Sequence, residues 1–335
     1  MQQPLVSILI PFKDTESFIN QCLTSIVSQS YENWQVLAVN DGSTDGSRNL
    51  VHAFAKNDSR IQLIDNEGNG IIEALRTAYK HSNGQFITRM DSDDIMTPEK
   101  LEIMVKSLLE HGKGHLAIGQ VHYFSHRGIS NGYERYEKWL NALTQTGDNY
   151  TEIYKECVIP SPCWMVHRED LDLCGAFTPN LYPEDYDLAF RFYENGLKCI
   201  ACFKLLHMWR DYDTRTSRTS EHYAQNYFLD IKLRYFLKLD YIPNRPLAVW
   251  GAGAKGKEII KSLQEQNIDF YWVCDNPKKI GKHIYGEEMF HFSKLKSLSN
   301  AQSIITVANA GAQVQIKKFF SKLNKKPMED YFFFC

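Results

Sequence analysis

From residue 6 to residue 90 the chain repeats one alternation: a short unbroken apolar run, a loop of turn residues, then apolar residues at helical spacing. The runs Val6–Ile10, Trp34–Val39, Ile61–Ile64 and Phe86–Met90 read as strands buried on both faces. Between them, Phe18, Ile19, Cys22, Leu23, Ile26 and Val27 mark one helix, and Leu50, Val51, Phe54 and Ala55 a second. Ile71, Ile72, Leu75, Ala78 and Tyr79 mark a third. Strands that alternate with helices predict a layered α/β domain with a parallel sheet. Ligands of such sheets sit beyond the carboxyl ends of the strands. Pro11-Phe12, Asp41 and Asp91–Asp93 occupy such ends and are expected to face one crevice.

The fourth run ends abruptly in Asp91, Asp93 and Asp94, and Thr97-Pro98-Glu99 then predicts a helix start with Thr97 as its cap. Carboxylates this close repel one another unless a cation or hydrogen-bond donors neutralise them. A divalent metal carrying a diphosphate would meet that need. The alternative is a role in capping the following helix, for which one acid would suffice.

At 335 residues the chain exceeds one typical core, so two domains are expected. A net charge of −2 offers nucleic acid no bulk attraction, and none is expected as a partner. No run approaches the roughly 18 apolar residues of a membrane span. The start, Met-Gln-Gln-Pro-Leu-Val-Ser, lacks the features of a secretory signal. A cytoplasmic protein is expected, with peripheral contact at the inner face of the membrane left open. The eight cysteines have no framework spacing and read as reduced thiols, Cys199-Ile-Ala-Cys202 included.

Residues 116–210 are less regular. Leu116–Phe124 and Cys163–Val166 read as strands, Tyr133–Leu143 and Glu184–Glu194 as helices, and the polar segment 209–223 as a loop. Trp164 and Trp139 could offer flat apolar faces to a ligand, although core packing is the commoner use of such residues. Tyr227–Leu239 reads as a connecting helix. A fresh strand, Leu247–Trp250, then runs into Gly251-Ala-Gly253-Ala-Lys-Gly256 and a helix, with Asp275 closing the next strand. Glycines in that pattern, with an acid about 20 residues on, suit a dinucleotide phosphate.

Taken together, Val6-Ser-Ile-Leu-Ile-Pro11-Phe12, Asn40-Asp41-Gly42-Ser43-Thr44-Asp45, Arg89-Met-Asp91-Ser92-Asp93-Asp94 and Glu184-Asp185-Tyr-Asp187-Leu with Arg191 resemble the ordered motifs of a family-2 glycosyltransferase of the GT-A fold. The resemblance covers residues 4–225. It implies a mixed, mainly parallel sheet flanked by helices, joined here to a small Rossmann-like α/β domain. The expected division is 1–225 for the transferase, 226–246 for a connecting helix and linker, and 247–335 for the second domain.

The resemblance also implies roles. Asp41 would bind the nucleotide base, with Phe12 against it and Pro11 shaping the turn beneath. Asp14 and Ser92 would contact the donor, and Arg89, just before the acids, would either do so or serve structure. Read from its own composition, the polar segment after Trp209 could form a lid in which Arg210, Arg215 and Arg218 close over the diphosphate of the donor. Asp93 would bind Mn²⁺ or Mg²⁺, and Asp91 would reach the ribose or the metal's water shell; apart from the resemblance, His222 or His207 could offer a nitrogen ligand. Asp185 would be the general base of one inverting displacement, taking the proton of an acceptor hydroxyl. By residue chemistry alone, Glu184-Asp185 could equally charge a helix N-terminus. Lys13 and Asp14 stand where the family commonly has asparagine.

The expected donor is a nucleotide sugar, most simply a UDP-sugar. The expected acceptor is a glycan or lipid-linked hydroxyl, in assembly of a surface polysaccharide or glycoconjugate. A sugar nucleotidyltransferase would open with a glycine-rich loop, and no glycine precedes Gly42. An oxidoreductase or regulatory module using NAD(P) or a nucleotide at Gly251, Gly253, Gly256 and Asp275 leaves the acids of the first domain without work. A non-catalytic binding module is the remaining alternative. The second domain otherwise serves assembly, homo-oligomerisation included. Lys317, Lys318, Lys322, Lys325 and Lys326 form a basic face that could touch an anionic membrane.

Overall fold

The computed structural model describes residues 3–215, 218 and 228–335. By internal contacts the chain divides into two units, residues 1–149 with 158–220, and residues 150–157 with 221–335. The short segment 150–157 lies inside the stretch assigned from sequence to the first domain. Its grouping with the second unit has a packing reason: the Tyr154 ring meets Phe236 and Phe332 edge-on and stacks on Phe334.

The first unit carries, in chain order, β1 (Val6–Phe12), α1 (Ile19–Val27), β2 (Trp34–Asn40), α2 (Ser47–Asn57), β3 (Ile61–Asp65) and α3 (Ile71–His81). β4 (Phe86–Arg89), β5 (Ile95–Met96), α4 (Lys100–His111), β6 (His115–Phe124) and α5 (Asn131–Thr146) follow. β7 (Trp164–His167), α6 (Arg168–Leu173), α7 (Glu184–Glu194) and β8 (Lys198–Arg210) complete it. Among the described residues the strands form one sheet in the order β3-β2-β1-β4-β7-β6-β8-β5. β1 runs parallel to β2 and β4, and β2 to β3, so the tips of β1, β2 and β4 share one edge. β7 is antiparallel to both β4 and β6, which makes the sheet mixed.

Every residue of β1 and β2 is buried, as helices on both faces of a parallel sheet require. That burial corrects one expectation. Phe12 is 2% exposed and belongs to the core with Ile8, Ile10 and Val36, so it offers no face to a base. The strand runs on through Pro11, which pairs in register with Val39. Pro11 lies two residues after Leu9, whose carbonyl accepts from Met90 on the β4 side. The missing N–H therefore faces the side where β4 has already ended, and no ladder bond is lost.

Two further boundaries differ from the sequence reading. Helix α4 begins at Lys100, and the Thr97 hydroxyl donates to Leu205 O at 3.2 Å instead of capping it. The cause is β5, whose antiparallel pairing with β8 keeps the chain extended up to that point. β8 itself continues to Arg210, taking in Trp209 and Arg210 from the segment read as a loop.

The second unit contains α8 (Leu229–Leu239), β9 (Leu247–Trp250), α9 (Ala254–Glu265), β10 (Tyr271–Cys274), β11 (His283–Ile284), β12 (Glu287–His291), β13 (Gln302–Ile305), α10 (Ala310–Lys322) and β14 (Tyr331–Phe333). The sheet order is β11-β12-β10-β9-β13-β14, parallel except for β11 with β12. The order reverses around β9, and Gly251 follows it directly. Gly251 has φ 141°, and a side chain there would collide with the Thr306 hydroxyl. A Cβ on Gly256 would collide with Gly251 O, whereas one on Gly253 would meet nothing within 4 Å. Two of the three motif glycines are thus demanded by close packing, Gly251 against Thr306 just after β13 and Gly256 of α9 against the loop before it.

That contrast is measurable. Gly256→Ala should destabilise the protein by about 1–3 kcal/mol through overpacking against backbone. Gly253→Ala, whose φ of −85° suits alanine, should stay within about 0.5 kcal/mol of wild type. Chemical denaturation of both variants checks this; equal losses would show that packing does not account for the motif.

Candidate active site

The tips of β1 and β2 are latched together. Asp14, in the left-handed region at φ 50°, accepts from Thr44 N at 2.7 Å and donates its own N–H to Ser43 Oγ at 3.1 Å. Glu16 N donates to Asp45 Oδ2 at 3.0 Å, and Glu16 Oε2 accepts from Gly46 N at 2.9 Å. Asp14 therefore acts within this latch. Beyond it, Asp41 Oδ1 accepts from Asn66 Nδ2 at 2.7 Å and from Gly70 N at 2.9 Å, which orients the carboxylate at the end of β2.

The three acids after β4 have three different fates. Asp94 is fully buried: Oδ1 accepts from Arg210 N at 2.7 Å, and Oδ2 lies 2.9 Å from His207 Nε2. On the other side of that imidazole, Lys100 Nζ lies 3.3 Å from Nδ1 and donates to Pro162 O at 2.5 Å. An ammonium can only donate, so Nδ1 accepts and the neutral ring carries its proton on Nε2. Lys100, His207 and Asp94 thus form one buried hydrogen-bonded chain. Burial and Lys100 push the imidazole well below its ordinary range, while burial raises Asp94 to about 8. His207, weighed above as a metal ligand, spends both nitrogens in this chain.

Asp93 and Asp91 remain partly exposed. Asp93 Oδ2 accepts from the Tyr212 hydroxyl at 2.9 Å, and its backbone carbonyl accepts from Arg210 Nε at 2.6 Å. Burial, then Asp94 and Asp91, push its carboxyl up to about 7. Burial also acts on Asp91, but Arg89 beside it, donating from Nη2 at 2.8 Å, holds it below the ordinary carboxylate range. Ser92 between them is buried. For Arg89 the sequence leaves a structural and a donor-facing role open. Arg89 is only 4% exposed, and its Nη1 donates to Glu184 Oε1 at 3.0 Å.

At α7 the acids separate in the same way. Glu184 is held by Arg89. Asp187 accepts from Arg191 Nε at 2.8 Å, and Arg191 also donates to the carbonyls of Cys174 and Ala176. Asp185 has no ion pair among the described residues; its Oδ1 accepts only from Tyr186 N at 2.8 Å. Burial and the adjacent Glu184 push it up to about 7. That is the range of a base working near neutrality.

Arg215 is 9% exposed, with its guanidinium 5.3 Å from the centre of the Trp209 ring. The nearby acids, after burial has acted against its charge, raise its pKa. Arg218 makes a two-pronged pair with Asp211, both bonds 2.7 Å. His222 lies outside the described residues. Trp164 is 2% exposed and packs edge-on against Phe192, a core role; Trp139 is partly buried beside Tyr136.

In the second unit, Asp275 is exposed at the tip of β10, and Lys279 Nζ donates to Ala252 O at 2.6 Å within the glycine loop. Three lysines of the basic face are paired, Lys317 with Glu152, Lys325 with Asp330 and Lys326 with Glu329. No described helix is long and apolar enough to cross a membrane.

Among the described residues no group of three or more His, Cys, Asp or Glu side chains is arranged to hold a metal. Asp91 and Asp93 are two hard oxygen donors, each with a second oxygen outside the bonds just described. That set fits Mn²⁺ or Mg²⁺, ions that take one or two carboxylates and complete their shell with phosphate and water. The residues missed from sequence are Lys100 and Tyr212; Arg210, read there as part of a lid, ends β8 and binds Asp94 and the Asp93 carbonyl. The run Leu205-Leu206-His207-Met208-Trp209 was the available signal: it is too apolar for a surface loop.

A family model described as Glycosyl transferase family 2 matches residues 7–174. The UDP-Glc:alpha-D-GlcNAc-diphosphoundecaprenol beta-1,3-glucosyltransferase WfgD of Escherichia coli is 30% identical over 251 residues, 74% of this chain and 90% of that protein. The glycosyltransferase GlyA of Streptococcus pneumoniae is 32% identical over 120 residues, 36% of this chain, which spans only 17% of that protein's length. Among solved structures, Staphylococcus aureus TarS 1–349 in complex with UDP-GlcNAc aligns with TM-score 0.54 at 18% identity, covering 71% of this chain and 68% of that one. The mannosyltransferase PcManGT of Pyrobaculum calidifontis, in complex with GDP-Man and Mn²⁺, aligns with TM-score 0.52 at 19% identity, covering 71% and 64%. The two structures speak for the fold. The family model, spanning half the chain, and the E. coli relative, matched over nine-tenths of its own length, make this chain a member of glycosyltransferase family 2.

Proposed function

We propose that the first unit moves a sugar from a nucleotide sugar, with UDP as the nucleotide, to a hydroxyl of a glycan or lipid-linked acceptor, with inversion at the anomeric carbon. The observation that carries the reading is Asp185: the one acid of the α7 start without an ion pair among the described residues, beside the Arg89–Asp91 pair, with a pKa near 7. Two names support the substrate class. The E. coli relative is named for UDP-Glc and a diphosphoundecaprenol-linked sugar, and the TarS complex holds UDP-GlcNAc. Surface polysaccharide or glycoconjugate synthesis is the corresponding role.

Asp41, oriented by Asn66 and Gly70, accepts a hydrogen bond from the base. Asp93, with Asp91, would hold the divalent cation, which when bound would supply charge stabilisation for the diphosphate leaving group, worth several kcal/mol in the transition state. Arg215 adds a fixed positive charge beside the same acids. Asp185 accepts the proton as the acceptor oxygen bonds to the anomeric carbon, and the bond from that carbon to the diphosphate breaks on the opposite face. An α-linked donor thus yields a β-linked product.

Three outcomes follow. Asp185→Asn should lower turnover by about 10²–10⁴-fold while leaving UDP binding intact, which separates an enzyme from a binding module. In wild type, kcat at saturating donor and Mn²⁺ should rise with pH through about 7 and then level off, because only ionised Asp185 accepts a proton. A profile flat from pH 5 to 8 would remove Asp185 as the base. Asp93→Ala should abolish the Mn²⁺ dependence of UDP affinity, and calorimetry showing unaltered affinity would end the metal assignment.

A further inference from the structure

Arg89 is the last residue of β4, and Glu184 the first of α7. One guanidinium joins the two elements, giving Nη2 to Asp91 at 2.8 Å and Nη1 to Glu184 at 3.0 Å. We propose that Arg89 is a positioning residue, a strut that sets the distance between the cation-side carboxylate of Asp91 and the base-bearing start of α7 without touching the donor. This role rests on the assignment of Asp185 as the base.

The form of the bridge argues for alignment over stability. An arginine that pairs with a single carboxylate often meets it as a two-pronged fork, as Arg218 meets Asp211. At Arg89 the fork is split, one prong to each of two elements. The split leaves Arg89 Nε and Glu184 Oε2 buried without hydrogen bonds among the described residues. Unpaired buried polar atoms are costly, and proteins keep them chiefly where function demands the geometry.

The position of the base argues the same way. Asp185 has no ion pair of its own among the described residues, so its place is inherited from the helix that carries it. Glu184, one residue before it, ties that helix start to the strand bearing the donor-side acids. A helix is stiff over its first turn, so fixing Glu184 fixes where Asp185 emerges. Electrostatics add a second reason. Asp91, Glu184 and Asp185 all lie close enough to Arg89 to act on its charge, and without it they would form a buried cluster of like charge. Both terminal nitrogens are engaged and the side chain is 4% exposed, so a diphosphate would have to break the bridge to reach it.

A strut and a donor contact leave different kinetic signatures. Full-length Arg89→Lys, Arg89→Met and Glu184→Gln are compared with wild type in two assays: calorimetry with UDP and MnCl₂, and UDP release from UDP-glucose and UDP-N-acetylglucosamine. Arg89→Met should lose about 100-fold in turnover, the scale of a misplaced catalytic group. Its UDP dissociation constant should rise by no more than about tenfold, far less than turnover falls, because Asp93 still anchors the cation while the base-bearing helix start is released. Arg89→Lys keeps a buried cation but cannot span both acids, so it should show the same split at smaller amplitude, as should Glu184→Gln. If Arg89→Met does not fold, Arg89→Lys and Glu184→Gln decide alone. UDP affinity falling in step with turnover would make Arg89 a donor contact, and unchanged turnover would make it a plain structural ion pair; either overturns the strut. Wild-type protein that binds no UDP with MnCl₂ would instead overturn the donor assignment and take this role down with it.

Discussion

Five carboxylates, those of Asp91, Asp93, Asp94, Glu184 and Asp185, are drawn together where β4 ends and α7 begins, and their neutralisation governs the rest of the first unit. Taking ionised groups out of water is tolerable only when opposite charges or donors accompany them. The chain meets this requirement unevenly. Asp94 spends both oxygens, on Arg210 N and on His207, and Glu184 is tied to Arg89 through one of its two. Asp93 and Asp185 are left with one hydrogen bond each to their side chains. The committed acids build the site, and the uncommitted ones remain available for chemistry.

The same division explains why the centre is assembled from distant segments. Arg210, at the end of β8, gives its backbone N–H to Asp94 and its side chain to the Asp93 carbonyl and to Gln21 on α1. Tyr212 follows, with its hydroxyl on Asp93 and its ring 4.5 Å from that of Phe18. The turn after β4 is therefore held from three sides: by the first helix, by the last strand of the unit and, through Arg89, by α7. A turn so held keeps its two half-exposed carboxylates in place, as preorganised electrostatic catalysis requires.

The second unit follows a different logic. Its glycine motif looks from sequence like a phosphate cradle. In the fold, Gly251 and Gly256 answer to contacts inside the unit: the Thr306 hydroxyl, the Gly251 carbonyl, and the Trp272 indole that donates to that same carbonyl at 2.8 Å. Close approach of helix to loop is by itself a reason for glycine. A motif is thus weaker testimony to a ligand than a constellation of partly neutralised charges.

The sequence alone determined the alternation of strands and helices, the strand tips on which Asp41 and Asp91–Asp94 sit, and Asp185 as one of three acids opening a helix. These are local properties, written in periodicity and in turn residues. Which acid is buried and which is left for chemistry was decided only by the tertiary structure. Lys100, His207 and Asp94 are scattered along the chain, and so are Arg89 and Glu184; no pattern of spacing announces that they meet. Phe12 failed for the same reason: a strand tip reads as exposed until the neighbouring strands and helices close over it. Charge neutralisation depends on distance in space, and distance in space exists only after the chain has folded.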